Sequence, residues 1–257
     1  MPPKRKQNDD DVEIVDVYKV LPTAYIHKKK TYANYSKINI DIPMAAIIIG
    51  SMGSGKTQIV YNLFKNMSCF THVYLFVKDL NEPIYKFLID TLEKLGAKIG
   101  KQLITYSDDI KNVPTVEQFD KEENNLVVFD DLLLDKEAAP KRGSGAKTGA
   151  DKILDIYIRG RRQNVSCLYV SQSYYDIPGM IRKNANYIFI KKINTTSDLN
   201  RIVAEYQLSV SKKEILEYYK QALATKTKWL LVDLKTNEDD LKFRIGFKGI
   251  QQPSADV

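Results

Sequence analysis

GSMGSGKT, residues 50–57, follows the apolar run AAIII of residues 45–49 and precedes a stretch in which Ile59, Val60, Leu63, Phe64 and Met67 share one helical face. It meets every fixed position of the phosphate-loop (Walker A) pattern G-x-x-x-x-G-K-[ST], in the strand-loop-helix setting that the pattern requires. Gly50, Gly53 and Gly55 permit the tight turn in which successive N–H groups face inward. Together with the N-terminus of the following helix, such a nest favours the charge of a triphosphate. Gly50, Ser51, Met52, Gly53, Ser54, Gly55, Lys56, Thr57 and Gln58 are therefore expected to bind ATP. Lys56 would reach the β and γ phosphates, and the Thr57 hydroxyl would hold the Mg²⁺ that bridges them.

Farther along, residues 125–131 read NLVVFDD, an apolar run ending in two carboxylates. Beside a phosphate loop this reads as the Walker B strand. The chemistry needs one acid to hold the Mg²⁺ shell, assigned to Asp130, and one to orient or deprotonate the attacking water, assigned to Asp131.

At 257 residues, 44% of them apolar, the chain has material for one α/β domain with insertions or at most two small ones. The net charge of +7 and pI near 9.1 fit a negatively charged partner without identifying it. Cys69 and Cys167 form no C-x-x-C pair, which speaks against a disulfide scaffold or a zinc site and for a reducing compartment. His27 and His72 are the only histidines, so histidine-rich metal chemistry is excluded, and His72 reads as a strand-end residue. No stretch approaches the roughly 18 apolar residues of a membrane span, and MPPKRKQNDDD lacks the apolar core of a signal peptide. The expectation is a soluble protein that is not exported.

Residues 1–11 read as a disordered tail and residues 12–257 as one phosphate-loop ATPase domain. Lys28, Lys29 and Lys30 suggest an exposed turn between short strands within residues 12–42. Strands are expected at 73–77, 102–106, 165–170 and 187–190, with helices at 82–95, 151–160, 197–206 and 211–224; Gly96 and Gly100 should break the first of these. Residues 229–234 and 242–247 read as a closing hairpin, with Trp229 in the core. Strands alternating with helices predict a mostly parallel central sheet flanked by helices and finished by a C-terminal β-hairpin.

Residues 136–162 carry eight basic side chains against three acids, and the Gly- and Lys-rich part, 136–150, is expected to be a mobile loop. Lys141, Arg142 and Lys147 are its DNA-contact candidates, the alternative being a solvated surface insertion. The strand at 165–170 ends in Ser171, Gln172 and Ser173, where the carboxyl end of a strand meets the nucleotide crevice. Gln172 there could sense the γ-phosphate or position water, or simply terminate the strand with a hydrogen bond.

The order of GSMGSGKT, LVVFDD and RGRRQNVSCLYVSQSYYDIP resembles the genome-packaging ATPases of large DNA viruses and virophages, a poxvirus-type branch of the RecA/FtsK-HerA-like phosphate-loop NTPases, over residues 40–247. The resemblance implies a ring, usually hexameric with a pentamer as alternative, that threads double-stranded DNA and hydrolyses ATP at subunit interfaces. It implies capsid-vertex or portal partners and a place in the virion or in a viral factory of the host cytoplasm. It also implies an arginine reaching the neighbouring subunit's γ-phosphate, with Arg161 first and Arg159 second, since Arg161 follows Gly160 as in the family's Gly-Arg-basic pattern. Many relatives carry a glutamate where this chain has Asp131. A small-molecule kinase and a nucleotide-dependent switch or assembly factor are the competing readings.

Overall fold

The computed structural model describes residues 15–22, 31–132, 147–206 and 210–250. The chain divides into two units, Met1–Lys30 and Thr31–Val257. In the first, α1 (Val17–Val20) is a single helical turn. Residues 1–11 and the lysines at 28–30 lie outside the described residues.

The second unit runs α2 (Tyr35–Ile38), β1 (Ala45–Ile49), α3 (Lys56–Met67), β2 (His72–Val77), α4 (Pro83–Ile99), β3 (Ile104–Ser107), β4 (Asn125–Asp130), α5 (Gly149–Arg159), β5 (Val165–Ser171), α6 (Gly179–Asn184), β6 (Tyr187–Ile190), α7 (Thr196–Glu205), α8 (Lys212–Leu223), β7 (Leu230–Asp233), α9 (Asp239–Lys242), β8 (Phe243–Ile245) and β9 (Lys248–Gly249). Its strands form one nine-stranded sheet in the order β3-β2-β4-β5-β1-β6-β7-β8-β9. The pairings from β3 to β6 are parallel, and β7, β8 and β9 add antiparallel. The mostly parallel sheet and the closing hairpin are thus as the sequence predicts.

The central strands β1, β5 and β6 are buried along their whole length and largely apolar because both faces are covered. Ala45, Ile47 and Ile49 of β1 join Val127 and Phe129 of β4 in a core completed by Ile156 of α5, Ile202 of α7 and Ile215 of α8. Ala46 and Ile48 point the other way, with Val128 of β4, toward Leu63 of α3 and Leu88 of α4. Trp229 lies in this second core and is buried. His72 opens β2, where its Nε2 meets Thr105 Oγ1 at 3.0 Å, a strand-end role.

Three expectations are corrected. Helix α4 does not break at Gly96 but runs on to Ile99, and Gly100, at φ 66°, ends it. Gly96 is required for close approach instead, since a Cβ there would sit 2.5 Å from the Lys101 carbonyl oxygen. Ahead of β1, the described residues form the helical turns α1 and α2 rather than short strands. Tyr35 of α2 donates to Asp41 at 2.8 Å, and Arg244 of β8 donates to the carbonyls of Ile38 (2.7 Å) and Asn39 (2.9 Å) while pairing with Asp233 (2.6 Å), so side chains hold this segment where strand pairing was expected. Of the basic loop at 136–150, residues 147–150 already belong to the entry of α5: Thr148 and Asp151 form a capping box. Gly149 packs so tightly that a Cβ would lie 2.6 Å from Ile110.

Candidate nucleotide-binding site

Strand register gathers the phosphate loop, the two acids and Gln172 at the carboxyl end of the parallel strands. Ile49, the last residue of β1, is paired with Ser171 of β5 on one side and Ile190 of β6 on the other. Asp130 is opposite Val170. The segments leaving β1, β4, β5 and β6 therefore emerge together, at the carboxyl ends of parallel strands where α/β sheets bind ligands. Because β5 lies between β1 and β4, Gln172, directly after β5, sits between the phosphate loop and the two acids.

The loop conforms to what its glycines allow. Gly53 and Gly55 have φ of 69° and 89°, the left-handed region that side-chain-bearing residues avoid, and Gly55 caps α3. At Gly50 a Cβ would stand 2.5 Å from Ser54 Oγ and 2.7 Å from Lys191 Cβ, so the loop can close only over a glycine. Lys56 bends back across it, with Nζ 2.9 Å from the Gly50 carbonyl and 3.3 Å from that of Ser51. Burial lowers its pKa, against the pull of Asp130 and Asp131. Ser51 ties the loop to the end of β6, its N–H and hydroxyl both donating to the Lys192 carbonyl at 2.7 and 3.0 Å. Met52 is 81% exposed at the tip, and Gln58 is exposed on the first turn of α3. Ser54 Oγ is buried without a hydrogen-bond partner.

The two acids are in different environments. Asp130, partly buried at the end of β4, accepts from the Tyr85 hydroxyl at 2.6 Å. Burial raises its carboxyl to about 6; the Tyr85 hydrogen bond lowers it, the charge on Asp131 raises it and Lys56 lowers it. Asp131 leaves the strand at φ 50° and accepts from Gln172 Nε2 at 2.7 Å. Among side-chain-bearing residues Asp and Asn tolerate that backbone best, so an aspartate suits this position.

These residues fit ATP with Mg²⁺. The loop is a cradle a Cβ would fill, with a lysine across it and an orphan hydroxyl beneath. Thr57 and Asp130 offer the hard oxygen donors Mg²⁺ prefers. Among the described residues no group of three His, Cys, Asp or Glu side chains is placed to hold a metal ion.

The arginines lie elsewhere. Arg159 ends α5, paired with Asp155 at 2.8 Å and Glu117 at 3.5 Å. Arg161 and Arg162, both exposed, sit on the 3₁₀ turn Gly160–Gln163 just before β5. That is the opposite end of a seven-residue strand from Gln172, on the order of 20 Å at the usual rise per residue. Lys147 is ion-paired with Asp155, and Lys141 and Arg142 lie outside the described residues.

Two residues at this end of the sheet escape sequence reasoning. Tyr85, in the first turn of α4, touches Asp130. Lys191 is 1% exposed at the end of β6, its Nζ donating to the carbonyls of Lys226 (2.6 Å) and Lys228 (2.9 Å) under the phosphate loop. Neither belongs to a motif; the spatial order of the elements alone brings them here.

This fold and site define a phosphate-loop ATPase. The chain belongs to the Poxvirus A32 protein family, whose model matches residues 31–233. It is similar in fold to B204, the DNA-packaging ATPase from Sulfolobus turreted icosahedral virus, with a TM-score of 0.53 and 16% identity, covering 82% of this chain and 100% of that one. The genome packaging NTPase B204 from Sulfolobus turreted icosahedral virus 2, in complex with AMPPCP, matches with a TM-score of 0.52 and 18% identity, covering 81% of this chain and 99% of that one. No curated protein sequence matches the chain. Among the described residues no helix is long and apolar enough to cross a membrane.

Proposed function

We propose that this protein is the ATP-driven motor that packages a viral genome, moving double-stranded DNA through a homo-oligomeric ring, a hexamer or alternatively a pentamer, with ATP hydrolysed at subunit interfaces. The observation that carries the reading is the phosphate loop, Asp130, Asp131 and Gln172 meeting at the carboxyl end of the parallel strands in a chain of the Poxvirus A32 protein family. The solved relatives described as genome-packaging ATPases lend the DNA-packaging half of the proposal its support.

In this reading the backbone of residues 50–57 and the Lys56 ammonium bind the triphosphate. Thr57 and Asp130 hold Mg²⁺, which when bound supplies positive charge against the β and γ phosphates. Asp131 orients or deprotonates the attacking water, and Gln172 holds the Asp131 carboxylate and responds to the γ-phosphate. Arg161, or failing it Arg159, reaches the site of a neighbouring subunit. Lys141, Arg142 and Lys147 contact DNA phosphates. Partners at a capsid vertex or portal, and work in the virion or viral factory, follow from the same reading.

Steady-state ATPase measured with and without long duplex DNA tests it. Strong stimulation by duplex supports the motor. Stimulation by a small phosphoryl acceptor would instead make the protein a kinase, and tight ATP binding without turnover a switch.

A further inference from the structure

Helix α4 begins at the nucleotide end of the sheet and is held there firmly. The Glu82 carboxylate accepts from the N–H groups of Ile84 (2.9 Å) and Tyr85 (3.1 Å), and Pro83 occupies the first turn. This sets Tyr85 facing the end of β4, where the side chain is 2% exposed and packed with Leu88 and Leu92. Its hydroxyl donates to Asp130 Oδ2 at 2.6 Å.

The direction of this bond matters. Tyr85 gives its single proton to Asp130 Oδ2. A carboxylate that binds a cation's shell through one oxygen is best fixed through the other, and Tyr85 fixes Oδ2.

We propose that Tyr85 is the positioning residue of the metal site, a buried phenol that presets Asp130 for Mg²⁺ from an element outside both motifs. The proposal rests on the nucleotide reading above. Partners that orient metal ligands in this way typically change metal affinity about 10–100-fold when removed.

The test uses the full chain and a methylanthraniloyl derivative of ATP, whose fluorescence reports binding in MgCl₂ or in EDTA. For the unaltered protein Mg²⁺ should tighten binding. In Tyr85→Phe, which keeps the ring's packing, binding in EDTA should stay within about twofold, while the concentration of Mg²⁺ giving half of the tightening should rise tenfold or more. In an Asp130→Asn background, Tyr85→Phe should cost little more, because both changes remove one coupled unit. Equal weakening in EDTA and in MgCl₂ would make Tyr85 merely structural and overturn the proposal, as would an unchanged Mg²⁺ requirement or additive losses. If the unaltered protein fails to bind the nucleotide at all, the nucleotide reading falls; if it binds with a Mg²⁺ gain that Tyr85→Phe shares, the positioning role alone falls.

Discussion

Gln172 donates to the Asp131 carboxylate across the gap between β5 and β4, Nε2 to Oδ2 at 2.7 Å. In the proposed mechanism this bond joins the residue that orients water to one that responds to the γ-phosphate. Asp131→Asn should leave ATP binding largely intact and cut turnover on the order of a hundredfold or more, the usual range for a lost general base. Asparagine tolerates φ 50° as well as aspartate does, so the fold should be unaffected. Gln172→Ala should lower turnover about tenfold or more with little change in ATP affinity. Paired binding and turnover measurements check both; loss of binding in Asp131→Asn would reverse the roles of the two acids.

Asp130 links function to stability. Its carboxyl is raised from 3.8 to about 6 in the folded chain, so its contribution to stability is complete below about pH 4 and is lost as pH rises through about 6. Above that pH the metal-free protein holds a poorly solvated charge. Asp130→Asn should therefore stabilise the nucleotide-free protein at pH 7.5 by on the order of 2 kcal/mol, with the gain shrinking toward zero near pH 4, while it impairs Mg²⁺-dependent turnover. Denaturant unfolding in EDTA at the two pH values measures this.

Arg161 stands at the far end of β5 from its own phosphate loop, too distant to serve it, whereas Arg159 is already paired with Asp155 and Glu117. Arg161→Ala should abolish most turnover, in keeping with the thousandfold or greater contribution of such fingers, and Lys56→Ala should abolish it through the loop. Mixing the two variants should restore part of the ATPase, at interfaces that join an intact arginine to an intact loop. Mixtures as inactive as either parent, in rings that still assemble, would rule out Arg161 as the residue that completes a neighbouring subunit's site.

Neutralising Lys141, Arg142 and Lys147 together should weaken duplex binding and lower the salt slope by about two, at close to one per phosphate contact. The slope should fall by less than three because Lys147 is shared with Asp155. Binding measured across a salt series decides this, and an unchanged slope would show that the segment is a solvated surface insertion.

What could be read from the sequence was the part encoded locally. GSMGSGKT and NLVVFDD sit on a strand-loop-helix and a strand end as their patterns require, and the apolar periodicities locate β2, β5, β6, α7 and α8 to within a residue or so. Whatever depends on spatial order was hidden. Nothing in the chain says that β5 lies between β1 and β4, the arrangement that puts Gln172 beside Asp131, or that α4 starts where Tyr85 meets Asp130. Gly96 misleads because a glycine needed for close approach to Lys101 looks the same in sequence as one that breaks a helix. The stretch before β1 misleads because side-chain bonds from Arg244 and Tyr35 organise it, with no periodicity to reveal them.

The most direct test of the motor is movement along DNA. A labelled third strand is bound at one end of a linear duplex, and its displacement by the purified protein is followed after ATP and Mg²⁺ are added. Displacement should require hydrolysable ATP, fail in Lys56→Ala, and show a lag that lengthens with the distance between the loading end and the third strand. A third strand that stays bound while duplex DNA stimulates ATP hydrolysis, or displacement with no dependence on distance, would contradict translocation.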